Sequence, residues 1–256
     1  MVMPAACATP AAGAGWTDLP APNAPSQMQR PAVLAAAAGP LTAAWADYTG
    51  SEFRVVAVSR DPRTGWGEPT VLGTSPTLIS DPALAGDAAG RAVVAWTRCG
   101  GGWSARAAVR SADGAWGPAS DLASTGSCTY TNTHAAAVGD AAGRFVVSWT
   151  DGVNLTAQAA TLPATGGWSA PVTLGAAGEG HALAATDDGH VLAAWTRYLG
   201  GYSYAVEVAD RGPDEAWGAP VGVTTTRTNA FSPRLAAAGG RSALLAWHGA
   251  TPWEGR

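Results

Sequence analysis

Apolar residues along this chain come in strand-length runs separated by turns rich in Gly, Asp and Pro, and no stretch holds a helical period for longer than one such run. That pattern predicts short β-strands joined by tight turns. The Ala-rich runs pull towards helix, since Ala has the best helix propensity. The repeat context overrides that pull.

Two tryptophan series supply the context. The first closes a small-residue strand: Trp45 in PLTAAWAD, Trp96 in RAVVAWTR, Trp149 in RFVVSWTD, Trp195 in HVLAAWTR and Trp247 in SALLAWHG, at steps of 51, 53, 46 and 52 residues. The second follows a turn: Trp16, Trp66, Trp116, Trp168 and Trp217, at steps of 50, 50, 52 and 49. Ten of the 12 tryptophans therefore share one period of about 50 residues, as expected when each unit buries its apolar face on its neighbour.

The second period divides into four strand segments: PALAG (82–86), AVVAWT (92–97), SARAAVRS (104–111) and WGPASDL (116–122). A four-stranded antiparallel unit of this length is a propeller blade, whose first strand is crowded at the central axis and needs small residues. LAAAA (34–38), LAGDAA (84–89), AAAVGD (135–140), ALAAT (182–186) and LAAAG (235–239) meet that need. Residues 233–256 carry only the first half of a blade, and the segment ending at Trp16 carries a second half. The expected fold is all-β, a five-bladed β-propeller forming one domain over 1–256. Its blades fall at about 31–79, 80–130, 131–178, 179–229, and 230–256 completed by 1–25. This closure would pair two otherwise exposed sheet edges. The competing account is a piece of a longer propeller, cut mid-blade at both ends.

Composition narrows the partners. A hydrophobic fraction of 47% suffices for a core. Charged residues amount to 13%, all 15 basic residues are Arg, and the formal net charge is −4. No clustered basic face is available for nucleic acid or anionic lipid. The apolar run 31–45 is broken by Gly39 and Pro40, so no membrane insertion is expected. The first residues lack both a charged n-region and a continuous apolar h-region, so no signal peptide is read in them. No cofactor is expected.

One turn is distinctive. Ser111, Asp113, Gly114 and Trp116 resemble the Asp-box, the S-x-D-x-G-x-x-W turn between the third and fourth strands of blades in sialidases and other BNR-repeat proteins. Ser59, Asp61, Gly65 and Trp66 form a looser copy, and the turns before Trp168 and Trp217 have lost most of the pattern. The resemblance implies a propeller and a structural role for the turn. The Asp accepts backbone N–H bonds, the Gly permits positive φ, and the Trp covers the blade edge. Blade count and repeat length also resemble the tachylectin-type five-bladed lectins.

Function in a propeller is sought at the end of the channel where the segments leading into each first strand converge. Those segments are MQRPAVL, ISDPALA, NTHAAAV, EGHALAA and FSPRLAA, and they place Arg30, Asp81, His134, His181 and Arg234 at or beside the same position. Two imidazoles and a carboxylate could hold a metal, but blade-to-blade spacing is no metal motif and no metal site is assigned. Two arginines could clamp a ligand carboxylate. A glycosidase needs a second carboxyl beside Asp81, with Glu52, Glu179 and Glu207 as loop candidates. The bland alternative is a ring of solvated rim residues.

Loop aromatics give a second lead, because exposed aromatic faces stack on sugar rings and repeated clefts add by multivalency. Tyr48, Trp103, Tyr130, Tyr202 and Trp253 are the candidates, with Phe53, Tyr198 and Tyr204 near them; each could instead cap a blade edge. Cys99 and Cys128 fall in loops at the same end of adjoining blades, so a disulfide suited to an oxidising compartment is open to them. Cys7 reads as a buried small residue. Asn154-Leu155-Thr156 matches the glycosylation acceptor pattern, common by chance. The sequence thus favours a secreted or surface module binding a carbohydrate or cell-surface ligand. A glycosidase-like hydrolase and a structural part of a larger multidomain protein are the alternatives.

Overall fold

The computed structural model describes residues 30–250 apart from 36–39, 62, 130–132, 202, 215 and 225–228, and among these every regular element is a β-strand. Sheet I contains β1 (Ala32–Leu34), β2 (Leu41–Tyr48), β3 (Phe53–Asp61), β4 (Gly65–Trp66) and β5 (Thr70–Ser75), with β4 and β5 both paired to β3. Sheet II contains β6 (Ala83–Gly86), β7 (Ala92–Cys99), β8 (Trp103–Arg110) and β9 (Ser120–Thr125). Sheet III contains β10 (Ala135–Gly139), β11 (Phe145–Thr150), β12 (Thr156–Leu162) and β13 (Val172–Ala176). Sheet IV contains β14 (His181–Ala185), β15 (Val191–Gly200), β16 (Ser203–Arg211) and β17 (Val221–Gly222). Sheet V is the hairpin β18 (Asn229–Ala237) and β19 (Ala243–Ala250). All pairings are antiparallel.

The inner strands β1, β6, β10, β14 and β18 lie side by side in that order around one axis. Their small residues are required there: a Cβ on Gly139 would fall on the carbonyl oxygen of Gly86 in the neighbouring sheet. Outward from the axis, the core sits between sheets. Trp96 of sheet II packs with Val55, Leu72 and Ile79, Trp149 of sheet III with Trp103 and Leu122, and Trp195 of sheet IV with Ala157 and Leu174. Gly73 and Gly175 make room, since a Cβ on either would lie 2.7 Å and 3.2 Å from the rings of Trp96 and Trp195. Trp96, Trp149 and Trp195 are thus pegs driven into the preceding sheet.

Two buried arginines lock sheets in pairs. Arg110 donates from Nη1 to Thr42 Oγ1 (3.1 Å) and Ser59 Oγ (2.8 Å) of sheet I and from Nη2 to the Gly90 carbonyl (2.9 Å). Arg211 donates from Nη1 to Thr161 Oγ1 (2.9 Å) and from Nη2 to Asp140 Oδ2 (3.3 Å) of sheet III. At the same end, Asp87 and Asp140 each accept two backbone N–H bonds within the turn after the inner strand, plus Nε of Arg91 or Arg144.

One expectation needs correction, and another reaches beyond the described residues. The fourth strand of sheet II does not start at Trp116, which makes only a single bridge to Arg110. It starts at Ser120, beyond Pro118, because a proline has no N–H to give to the ladder. The ring is also not closed among the described residues. No pairing joins β19 to β1, and Val33 of β1 and Leu244 of β19 stay largely exposed. Trp247 is 43% exposed, whereas its four counterparts are at 6% or less. Five sheets on an unclosed arc suggest more than five blade positions. The segment expected to complete sheet V, with Cys7 and Trp16, lies outside the described residues.

Candidate functional site

The end of the axis where the inner strands begin opens into one cavity of about 700 Å³, lined among others by Arg30, Asp81, His134, His181, Ser232 and Arg234. Five successive sheets thus contribute one charged or imidazole side chain each. Proline directs two of the lead-ins: Arg30 precedes Pro31 and Asp81 precedes Pro82, and a residue before proline is held extended. Asp81 Oδ1 accepts the Arg30 backbone N–H at 3.1 Å, tying the first lead-in to the second.

The lead-ins of sheets III and IV are pinned by a repeated Trp-Thr pair at the end of the second strand. Thr97 Oγ1 donates to the Thr133 carbonyl (2.8 Å), and Thr133 Oγ1 receives Trp103 Nε1 (3.1 Å) one residue before His134. Thr150 Oγ1 bonds the Gly178 carbonyl (3.2 Å) and His181 Nε2 (2.8 Å). AWTR at Trp96 and SWTD at Trp149 carry this pairing, whereas in the third copy, AWTR at Trp195, Thr196 Oγ1 is buried without a partner among the described residues.

The groups at the mouth differ in character. Burial, with smaller effects of Arg30 and Arg234, holds His134 below its ordinary pKa against the opposing charges of Asp81 and Glu179. His181 is buried, and burial followed by the proximity of His134 pushes it down to about 3. Its Nδ1 is buried and without a partner among the described residues. It therefore forms wall, with a neutral ring. The guanidinium of Arg234 donates to the Pro233 carbonyl (2.9 Å), and among the described residues neither it nor Arg30 is seen in an ion pair. Arg54, Arg91, Arg106, Arg144, Arg197 and Arg241 all pair with carboxylates elsewhere. Asp81 and the two histidines do not gather into a three-ligand metal cluster among the described residues.

The candidate aromatics divide. Trp103 is a core residue, 1% exposed, packed across the sheet II–III interface against Gly152, so it offers no face to a sugar. Tyr48 is half-buried, with its ring 4.8 Å from that of Phe53 and its hydroxyl donating to the Gly50 carbonyl at 2.8 Å. Tyr130, Tyr202 and Trp253 lie outside the described residues. Tyr198 and Tyr204, expected among the loop aromatics, form a cluster at the rim with Phe231, which the sequence did not single out, with successive ring centroids 5.2 and 4.7 Å apart. Cys99 and Cys128 are joined by a disulfide with Cα atoms 5.8 Å apart.

The Asp-box-like turn is distant in role. Asp113 Oδ1 takes the Ser111 hydroxyl and the Ala115 N–H, both of which hold its carboxyl below the usual range, and Gly114 adopts φ 98°. Trp116 packs against the sheet I–II core. In the looser copy Asp61 accepts the N–H groups of Arg63 and Thr64, while Ser59 is diverted to Thr42 and Arg110.

No family model matches the chain. No curated protein is detectably similar in sequence. Solved structures are similar in fold. The fucose-specific lectin from Aleuria aurantia aligns at a TM-score of 0.51 and 15% identity, over 87% of this chain and 70% of its own. A polysaccharide lyase of family PL25, an ulvan lyase, aligns at 0.51 and 11% identity, over 85% and 61%. The catalytic domain of the Coprinopsis cinerea GH62 α-L-arabinofuranosidase aligns at 0.48 and 12%, over 90% and 86%. The class of protein is thereby defined: an all-β propeller built from four-stranded antiparallel blades.

Proposed function

We propose that this chain is a glycan-binding propeller module whose ligand occupies the mouth cavity, with Arg30, Asp81, His134 and Arg234 as contacts and His181 as the wall behind them. The observation that carries the reading is the arrival of five polar side chains of three chemical kinds, from five successive sheets, in one cavity of about 700 Å³. Such a volume is that of a ligand site. A sugar presents several hydroxyls as donors and acceptors at once, which suits guanidinium groups with no ion pair among the described residues beside a carboxylate and the neutral His181 imidazole. A lectin and a polysaccharide lyase among the similar folds support carbohydrate as the ligand class. The Cys99–Cys128 disulfide supports an extracellular or cell-surface location.

A hydrolase reading has one observation in its favour: the charges of Asp81 and Glu179 both oppose the lowering of the His134 pKa, so two carboxylates lie within electrostatic range of one imidazole. One experiment separates the two. On a glycan array with matched chromogenic glycosides, a binding module gives signal without turnover. The Arg30→Ala/Arg234→Ala double variant then loses about tenfold or more in affinity, since hydrogen bonds to charged groups carry most of the strength. Turnover that vanishes in Asp81→Asn establishes the hydrolase instead. No binding and no turnover ends both readings.

The finer architecture is proposed on the same terms: one propeller domain whose sheet V is completed by residues 1–25. Its support is Trp247, the exposed member of a series otherwise buried. Deleting residues 1–25 should then strip hydrogen-exchange protection from β19 and lower the unfolding midpoint. Unchanged protection would mean that this edge belongs to a propeller with further blades.

A further inference from the structure

The rim cluster has no part in the reading above, and its geometry is unusual within the molecule. Tyr198 and Tyr204 face each other across the β15–β16 hairpin. Phe231, at the start of sheet V, completes a run of three rings with interplanar angles of 48° and 49°. Among the described aromatic residues only Tyr198, at 45%, and Trp247 are more than a third exposed. Leu199 beside Tyr198 is exposed as well. An exposed apolar patch held on an ordered hairpin commonly marks an interaction site.

The patch is continuous with the mouth. Phe231 is followed by a bulge in the β18–β19 register, and across it Ser232 and Arg234 both line the cavity. Ser232 holds φ at 51°, one of two described non-glycine residues in the left-handed region. Such conformations are costly and collect at binding sites. Here the bulge turns Phe231 towards Tyr204 while presenting Ser232 and Arg234 to the cavity. On the other side, a Cβ on Gly178 would lie 3.5 Å from Tyr198 Cβ, so the hairpin leans over the lead-in that carries Glu179 and His181. A ligand leaving the cavity past Arg234 meets the tyrosine face next.

We propose that Tyr198, Tyr204 and Phe231 form a second subsite, a stacking platform for a pyranose ring of the same glycan, so that the module reads a chain of sugars and not a single terminal residue. The proposal rests on the glycan reading of the mouth and extends it. Stacking uses the apolar C–H face of a pyranose, and Tyr198 supplies an exposed ring whose packing on Tyr204, itself backed by Phe231, limits the entropy lost on binding. A like pair, Tyr48 and Phe53, stands at the corresponding hairpin of sheet I, but its greater burial leaves the sheet IV–V cluster as the working platform.

The test is calorimetric titration of two ladders, cello-oligosaccharides from glucose to cellohexaose and ulvan oligosaccharides from di- to hexasaccharide, against the full chain. Affinity should rise from the shortest member to the longer ones. Tyr198→Ala should cancel about three- to tenfold of that rise while leaving the shortest member's affinity unchanged, and Tyr198→Phe should restore it, because the ring face and not the hydroxyl is used. Equal loss for short and long ligands, or length dependence untouched by Tyr198→Ala, overturns the platform and leaves the mouth standing. Binding without length dependence does the same. Absence of binding along both ladders overturns the platform and the glycan reading together.

Discussion

Removing the Cys99–Cys128 bond is expected to lower the stability of the chain by about 3–4 kcal/mol, the chain-entropy value for a closed loop of this size. The separation is 29 residues. For a domain of this length the melting temperature should fall by roughly 10 °C, read by calorimetry on a Cys99→Ala/Cys128→Ala variant beside the oxidised parent. The loss has a local component. Cys99 is the cross-strand partner of Trp103, and Trp103 Nε1 holds Thr133, the residue before His134. Hydrogen exchange should therefore rise first at the β7–β8 hairpin and at the lead-in to β10, and mouth affinity should fall with it. A variant that melts within 2 °C of the parent, a margin well under the ~10 °C expected, would show that the bond carries neither stability nor the site.

What the sequence discloses about this fold is what geometry forces to repeat. A Trp at the end of each second strand is legible because the strand pattern repeats, and at two of the inter-sheet wedges Gly73 and Gly175 are as necessary as the rings of Trp96 and Trp195 that they accommodate. The lead-in positions are legible for the same reason: a residue before each inner strand must point to one end of one axis. Single-site departures from the repeat are not. Trp103 sits after three glycines and reads as a surface aromatic, yet the space it fills is made by Gly152 in the next sheet, a glycine with no Trp to announce it.

The same limit applies to the site. His181 reads as a ligand from its register, but its Nε2 is taken by Thr150, 31 residues earlier. That pairing exists only once two sheets are docked. The platform of Tyr198, Tyr204 and Phe231 joins a hairpin to a strand of another sheet, and the intervening bulge at Ser232 hides Phe231 from any alternation count. Closure of the ring is illegible for a different reason. A half-blade at each end of a sequence fits a closed ring and a cut array equally well, and only the occupant of the β19 edge distinguishes them.

Acid should destabilise this protein well before its carboxylates protonate, and His181 is the reason. Burial holds the folded-state pKa near 3 from an ordinary 6.5, so the unfolded chain takes up a proton that the folded chain refuses. Stability is therefore full above pH 6.5 and declines as pH falls from there towards 3, by about 2 kcal/mol between pH 7 and pH 5. His134, lowered by burial in the same direction, adds to the decline. A His181→Gln variant can keep a donor to Thr150 Oγ1 without titrating, so its urea-unfolding free energy should be flatter between pH 7 and pH 5 than that of the parent. Superimposable pH curves would mean that the ring is not held neutral. The functional corollary is that the His181 ring stays neutral in the folded mouth between pH 7 and pH 5, so the wall it forms should serve the ligand equally well per folded molecule while the folded fraction declines.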